Sequence, residues 1–132
     1  MIVFDAEPLI AYYWDEPGSD RVDERFRAIE SGDEKGLVNA VTCAEVHYVV
    51  REDDDELADR YLDRLGHWLR VVDAGDVWEA ASLFKHRYRC ALGDSFVLAT
   101  ALEHDCPAFV GADDCFDDVT EVEVERFRTE PV

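Results

Sequence analysis

Four carboxylates sit where a folded chain could bring them together. Asp5 directly follows a wholly apolar run, Ile2-Val3-Phe4, and Asp113 comes just after another, Ala108-Phe109-Val110. Glu45 falls in the first turn of a helix expected after Leu37-Val38-Asn39-Ala40-Val41, and Asp94 opens the most apolar helical stretch in the chain. Carboxylates that converge repel one another unless a cation neutralises them. Hard divalent ions with oxygen ligands suit such a set. A water on such an ion can attack a phosphodiester while the metal stabilises charge on the phosphate oxygens.

Each acid also has a purely structural explanation. Thr42-x-x-Glu45 is a capping-box pattern, and Asp94 could serve as a helix N-cap. Asp5 could cap the helix that follows it, and Asp113 stands in Gly111-Ala112-Asp113-Asp114-Cys115-Phe116, where a turn aspartate is common. In so acidic a chain one carboxylate decides nothing; four at strand ends and helix starts carry the argument.

The elements that must position them follow from apolar spacing. Ile2-Val3-Phe4, Leu37–Val41, Leu69–Val72 and Ala108–Val110 read as buried strands, with Val122-Glu123-Val124 as a weaker fifth. Helices are expected over Pro8–Trp14, from a Ser19 cap through Val22, Phe26 and Ile29, over Thr42–Arg51, along Leu57–Leu65, from Asp76 through Tyr88, and over Asp94–His104. Strands alternating with helices predict an α/β domain with a mainly parallel sheet and helices on both faces. The functional crevice of such a sheet lies beyond the carboxyl ends of its strands.

These motifs resemble those of PIN domains: Ile-Val-Phe-Asp5 at the start, Thr42-x-x-Glu45, Gly93-Asp94-Ser95-Phe96-Val97-Leu98-Ala99, and Phe109-Val110-Gly111-Ala112-Asp113-x-x-Phe116. Their order and spacing are similar to the VapC toxins of type II toxin–antitoxin pairs, over essentially the whole chain, 1–132, as one domain. The resemblance implies a three-layer α/β/α sandwich with a four- to five-stranded sheet. It also implies a Mg²⁺- or Mn²⁺-dependent endoribonuclease, often a homodimer, silenced by a small antitoxin. Carried over, Asp5, Glu45, Asp94 and Asp113 would be the metal-binding and catalytic acids. The chain departs from the family where hydroxyl residues are common, at Ala6, Glu7 and Gly111, and where Cys115 replaces a further Asp. Those departures leave open whether Asp114 or Asp117 serves as an outer ligand, and they motivate an alternative: a non-catalytic PIN-like regulatory or RNA-binding module.

Other features narrow the field. No Gly-x-Ser-x-Gly, P-loop or dinucleotide glycine motif is present. A phosphoreceiver domain would need an acceptor Asp after a central strand and a late Lys, and neither is found. His47, His67, His86 and His104 show no metal spacing. Lys85, Arg87 and Arg89 form the best basic cluster for an RNA backbone, although a basic helix end also suits the macrodipole. Arg21, Arg25 and Arg27 are a second, lesser one. Tyr12, Tyr13 and Trp14 read as core packing first and as a partner surface second. Cys43, Cys90, Cys106 and Cys115 form no Cys-x-x-Cys pair and are expected to be free thiols. With no basic leader and no apolar run of membrane-spanning length, a cytoplasmic location is expected.

The 132 residues carry a formal charge of −19, with Lys35 and Lys85 the only lysines. Runs such as Glu52-Asp53-Asp54-Asp55-Glu56 read as a solvated surface. Carboxylate excess with few lysines resembles the proteins of halophilic archaea and implies a high-salt cytoplasm, where screening removes most of the self-repulsion. The unfolding midpoint should therefore rise between about 0.1 M and about 2 M KCl, where the Debye length falls from about 10 Å to below 3 Å. A midpoint that is flat or falling across that range in a thermal melt would remove the halophilic assignment.

Overall fold

The sheet begins with β1 (Ile2–Phe4), whose three apolar residues are completely buried in the computed structural model, which describes residues Met1–Val132. Successive side chains of a strand face opposite ways. Ile2 and Phe4 therefore enter one core while Val3 enters the other. A strand buried on both faces needs apolar residues throughout, which is why this run carries no alternation.

Helices α1 (Ala6–Trp14) and α2 (Ser19–Glu30) lead to β2 (Gly36–Asn39), which pairs in parallel with β1. Helices α3 (Ala40–Asp53) and α4 (Asp55–Leu65) then lead to β3 (Leu69–Val72), parallel to β2. The chain next crosses back through α5 (Trp78–Tyr88) and α6 (Leu92–Glu103) to β4 (Ala108–Val110), which pairs with the free side of β1. Last comes β5 (Val124–Arg126), parallel to β4. The strand order is β3-β2-β1-β4-β5. Its direction of growth reverses between β1 and β4, and the crevice of an open α/β sheet forms beyond the strand ends at such a point.

One core packs Ile2, Phe4, Val38 and Phe109 against Leu9, Phe26, Val46 and Tyr61 of α1 to α4. The other packs Val3, Leu37 and Val110 against Phe84, Val97 and Leu98 of α5 and α6. The result is the expected three-layer α/β/α sandwich with five parallel strands. Tyr12 and Tyr13 pack against the core, as expected, Tyr12 meeting the rings of Phe26 and Trp68 and Tyr13 that of Tyr61, whereas Trp14, expected with them, is exposed because it ends α1. No helix is long and apolar enough to cross a membrane.

Several boundaries differ from the sequence reading, each for a local reason. Helix α3 begins two residues earlier than expected, because Asn39 rather than Thr42 caps it: Asn39 Oδ1 accepts the Val41 N–H at 2.8 Å. Asp94 is the third residue of α6, not its cap, and Ala91 precedes that helix without any side-chain cap. The last strand lies two residues beyond Val122–Val124, where pairing with β4 rather than apolar content decides it. Asp54, inside the acidic run, caps α4 by accepting the Glu56 and Leu57 N–H groups.

The cysteines require a further correction. Cys43 and Cys106 are free, but Cys90 and Cys115 form a disulfide with their Cα atoms 5.3 Å apart, tying the end of α5 to the turn after β4. A bond closing this separation of 25 residues stabilises a domain by about 3.5 kcal/mol in the chain-entropy view. Protein denatured without reductant should take up two iodoacetamide groups, at Cys43 and Cys106, and four after reduction. Mass spectrometry showing four without reduction would mean that the pair is open.

Candidate metal centre

Asp5 leaves β1 at the point where the sheet reverses, its own N–H donating to the Phe109 carbonyl of β4. Its side chain is 4% exposed, and Oδ1 accepts the Ala6 N–H at 2.8 Å, capping α1. The carboxyl is held well above its ordinary range, first by burial, then by the nearby charges of Asp94, Glu45 and Glu7, against the opposing Ala6 N–H.

Asp94 is delivered by α6. That helix is pinned to β2 by a fully buried pair: Asn39 Nδ2 donates to Thr100 Oγ1 at 3.0 Å, and Thr100 Oγ1 donates to the Phe96 carbonyl. Burial, Asp113 and Glu7 push the Asp94 carboxyl up to about 6, with the hydrogen bond to Asp5 opposing them. Glu45 is raised by burial and by Asp94. It stands in the second turn of α3, and its Oε1 is buried without any hydrogen-bond partner. Space for it exists because residue 93 is glycine: a Cβ there would lie 2.1 Å from that oxygen.

Asp113 caps the short turn Asp114–Phe116 through Oδ1, which accepts the Cys115 N–H at 2.9 Å. Ligand atoms of Asp94, Asp113 and Cys115 fall within 4.8 Å of one another. Because Cys115 is bonded to Cys90, its sulfur is not a thiolate, and the two carboxylates are the donors of that group.

The structure therefore brings Asp5, Glu45, Asp94 and Asp113 to one edge of the sheet. An orphaned carboxylate oxygen facing other acids at a glycine-lined gap fits a hard cation, since all the donors are oxygens. Asp117 pairs through Oδ1 with Arg126, whose guanidinium also donates to the Gly111 and Asp113 carbonyls. Asp114 is exposed. Of the basic cluster, Lys85 donates to the Cys90 carbonyl and Arg87 pairs with Glu121, whereas Arg89 ends α5 in a left-handed conformation and forms no ion pair. Among the histidines, His47 bonds to Asp59. Sequence reading missed Arg126, which holds the turn around Asp113, and Arg128, which bonds Glu7, Glu16 and the Pro17 carbonyl; no local pattern marks them.

A parallel α/β domain with a cluster of acids at its switch point, Asp5 buried, Glu45 and Asp94 half-buried and Asp113 exposed, is the class that these features define. The family model for the PIN domain matches residues 2–122, and the chain belongs to that family. No curated protein sequence matches it significantly. Among solved structures, it is similar to a chain of VapBC2 from Rickettsia felis, bound to a DNA fragment from its promoter. That match has 14% identity and a TM-score of 0.71, covering 96% of this chain and 98% of that one. A toxin–antitoxin complex from Klebsiella pneumoniae is similar at 19% identity and TM-score 0.67, covering 93% and 99%. DNA-bound VapBC from Salmonella typhimurium is similar at 16% and 0.63, covering 96% and 97%. At such identities the likeness bears on the fold.

A carboxyl raised by folding binds its proton more tightly in the native state. Its contribution to stability is full below its unfolded pKa and is lost as the pH rises through the folded one. For Asp94 that window runs from its ordinary 3.8 to about 6. In metal-free protein, Asp94→Asn should gain in melting temperature over the wild type as the pH climbs through this window, with the gap constant above it. A gap that does not change with pH would show that Asp94 is not crowded by its neighbours.

Proposed function

We propose that this protein is a Mg²⁺- or Mn²⁺-dependent endoribonuclease and the toxin of a toxin–antitoxin pair. The observation that carries the proposal is Glu45 Oε1, buried, unpartnered and beside Asp94. A buried carboxylate oxygen without a donor is unfavourable by about 1–3 kcal/mol or more, which a cation would relieve. Membership of the PIN family and the occurrence of similar folds in toxin–antitoxin complexes support the same reading.

Asp5, Glu45, Asp94 and Asp113 would hold the ion. When bound, a divalent cation supplies an activated water and charge stabilisation at the scissile phosphate. The chain supplies the rest. The N–H groups of Ala6 and Cys115 fix one oxygen each of Asp5 and Asp113, leaving the other oxygen of each free to face the site. Because burial and neighbouring acids raise the Asp5 and Asp94 carboxyls, protons would compete with a cation there, so affinity should fall in acid. Arg89 is the member of the Lys85, Arg87 and Arg89 cluster best able to meet an RNA phosphate, since it has no carboxylate partner. The apolar groove of about 310 Å³ lined by Leu9, Cys43, Val46, Leu62 and Leu69 suits the apolar side chains of an antitoxin segment. A homodimer in the cytoplasm completes the proposal.

Asp5→Asn and Asp94→Asn should each lower Mn²⁺-dependent cleavage of single-stranded RNA by more than about a hundredfold, as expected when a few kcal/mol of charge stabilisation is lost. Circular dichroism should show both variants folded. Cleavage at the wild-type rate in either would remove the mechanism. A wild type that binds Mn²⁺ and leaves every RNA intact would replace the nuclease with a passive metal-binding module.

A further inference from the structure

Glu7 stands two residues beyond Asp5, in the first turn of α1, yet its carboxylate reaches the loop after β4. Oε2 accepts the Ala112 N–H at 3.1 Å and the Arg128 Nε–H at 3.1 Å. Arg128 is itself held in place. It donates to Glu16 Oε1 and to the Pro17 carbonyl, its cation lies over the Phe127 ring, and its side chain is only 11% exposed. A Cβ at Gly111 would stand 1.8 Å from Glu7 Oε2 and 2.4 Å from Oε1, so Glu7 in this position excludes any side chain at 111. On the other flank, Arg126 donates to the Gly111 and Asp113 carbonyls.

We propose that Glu7 is the positioning residue for Asp113. The turn that carries Asp113 is gripped on its N–H side by Glu7 and on its carbonyl side by Arg126, and Gly111 is the vacancy that admits the Glu7 carboxylate. Arg128, shared with Glu16, offsets part of the Glu7 charge. A further acid can therefore stand near Asp5 and Asp94 as a hydrogen-bond acceptor for the backbone, without adding a full charge to the cluster. This assignment rests on reading the four acids as a metal centre, because a positioned Asp113 matters only if it binds something.

The test uses Glu7→Ala, Glu7→Gln, Gly111→Ala and Asp113→Asn, singly and in pairs, with two readouts. Exchange of the Ala112 amide proton, followed by NMR in metal-free protein, should quicken about tenfold in Glu7→Ala through local opening of the turn. Glu7→Gln keeps an acceptor oxygen and should stay near the wild type. Mn²⁺ affinity, measured by titration calorimetry, should fall about tenfold in Glu7→Ala, the usual scale for a residue that orients a ligand. Gly111→Ala should weaken Mn²⁺ binding in the parent and add nothing once Glu7 is alanine. Glu7→Ala should add nothing to Asp113→Asn. Unchanged Ala112 exchange in Glu7→Ala, or fully additive losses in the paired variants, would overturn the proposal. A parent protein that binds no Mn²⁺ would overturn the metal reading alone, and the exchange measurement would still decide whether Glu7 holds the turn.

Discussion

Electrostatic repulsion among crowded carboxylates, gathered around the buried Asp5, is the constraint on which the rest of this structure turns. Two unit charges about 4 Å apart repel by about 4 kcal/mol at an effective dielectric constant near 20. A domain is stable by only about 5–15 kcal/mol in total. A cluster of fully ionised acids would consume much of that margin, which favours either protons or a cation among them. The raised carboxyls of Asp5, Glu45 and Asp94 express this arrangement. Rigid surroundings are what prevent the acids from simply moving apart. The wholly buried β1 fixes Asp5, and the Asn39–Thr100 pair locks α6, and with it Asp94, against β2.

The acids of the surface obey different rules. They are solvated, and nearly every ion pair that they form is to arginine, the exception being His47 with Asp59. Exposed pairs of this kind contribute little. The exceptions gather at the C-terminal end of the chain. Arg25 bonds Glu34 and Glu125, Arg126 holds the Gly111–Asp113 turn, and Arg128 joins Glu7 to Glu16. Strand β5 is short and only partly buried. It is anchored by the buried Phe127 that follows it and by these planar, multidentate guanidinium groups, for which lysine is a poor substitute.

How much of this was legible in the sequence follows from the range over which each feature is determined. Strands β1 and β4 are read correctly because burial on both faces demands unbroken apolar runs, and such runs are local; β3, an edge strand with Arg70 and Val71 exposed, is read correctly from its short apolar pattern alone. The four acids are legible by order, since each adjoins one of those runs or a helix start. Strand β5 was misplaced because Val122-Glu123-Val124 alternates like a strand, whereas the observed pairing is set by the Ala108 and Phe109 register on β4. The Cys90–Cys115 bond and the contact from Glu7 to Arg128, 121 residues apart, depend on tertiary approach alone. Nothing in their spacing could have announced them.

The capping and ligand explanations of these acids are not rivals. A carboxylate has two oxygens. In Asp5 and in Asp113, one accepts a backbone N–H from the element that follows, which fixes the side-chain rotamer. Fixing one oxygen orients the other, so an aspartate that caps is better prepared to meet a cation than one that swings freely. Glu45 has no such N–H and is constrained instead by burial and by the gap at Gly93, which is why one of its oxygens is left without a partner. Local structure and site chemistry therefore draw on the same side chains. A sequence reading that weighs a cap against a ligand at such positions sets up a choice that the folded chain does not have to make.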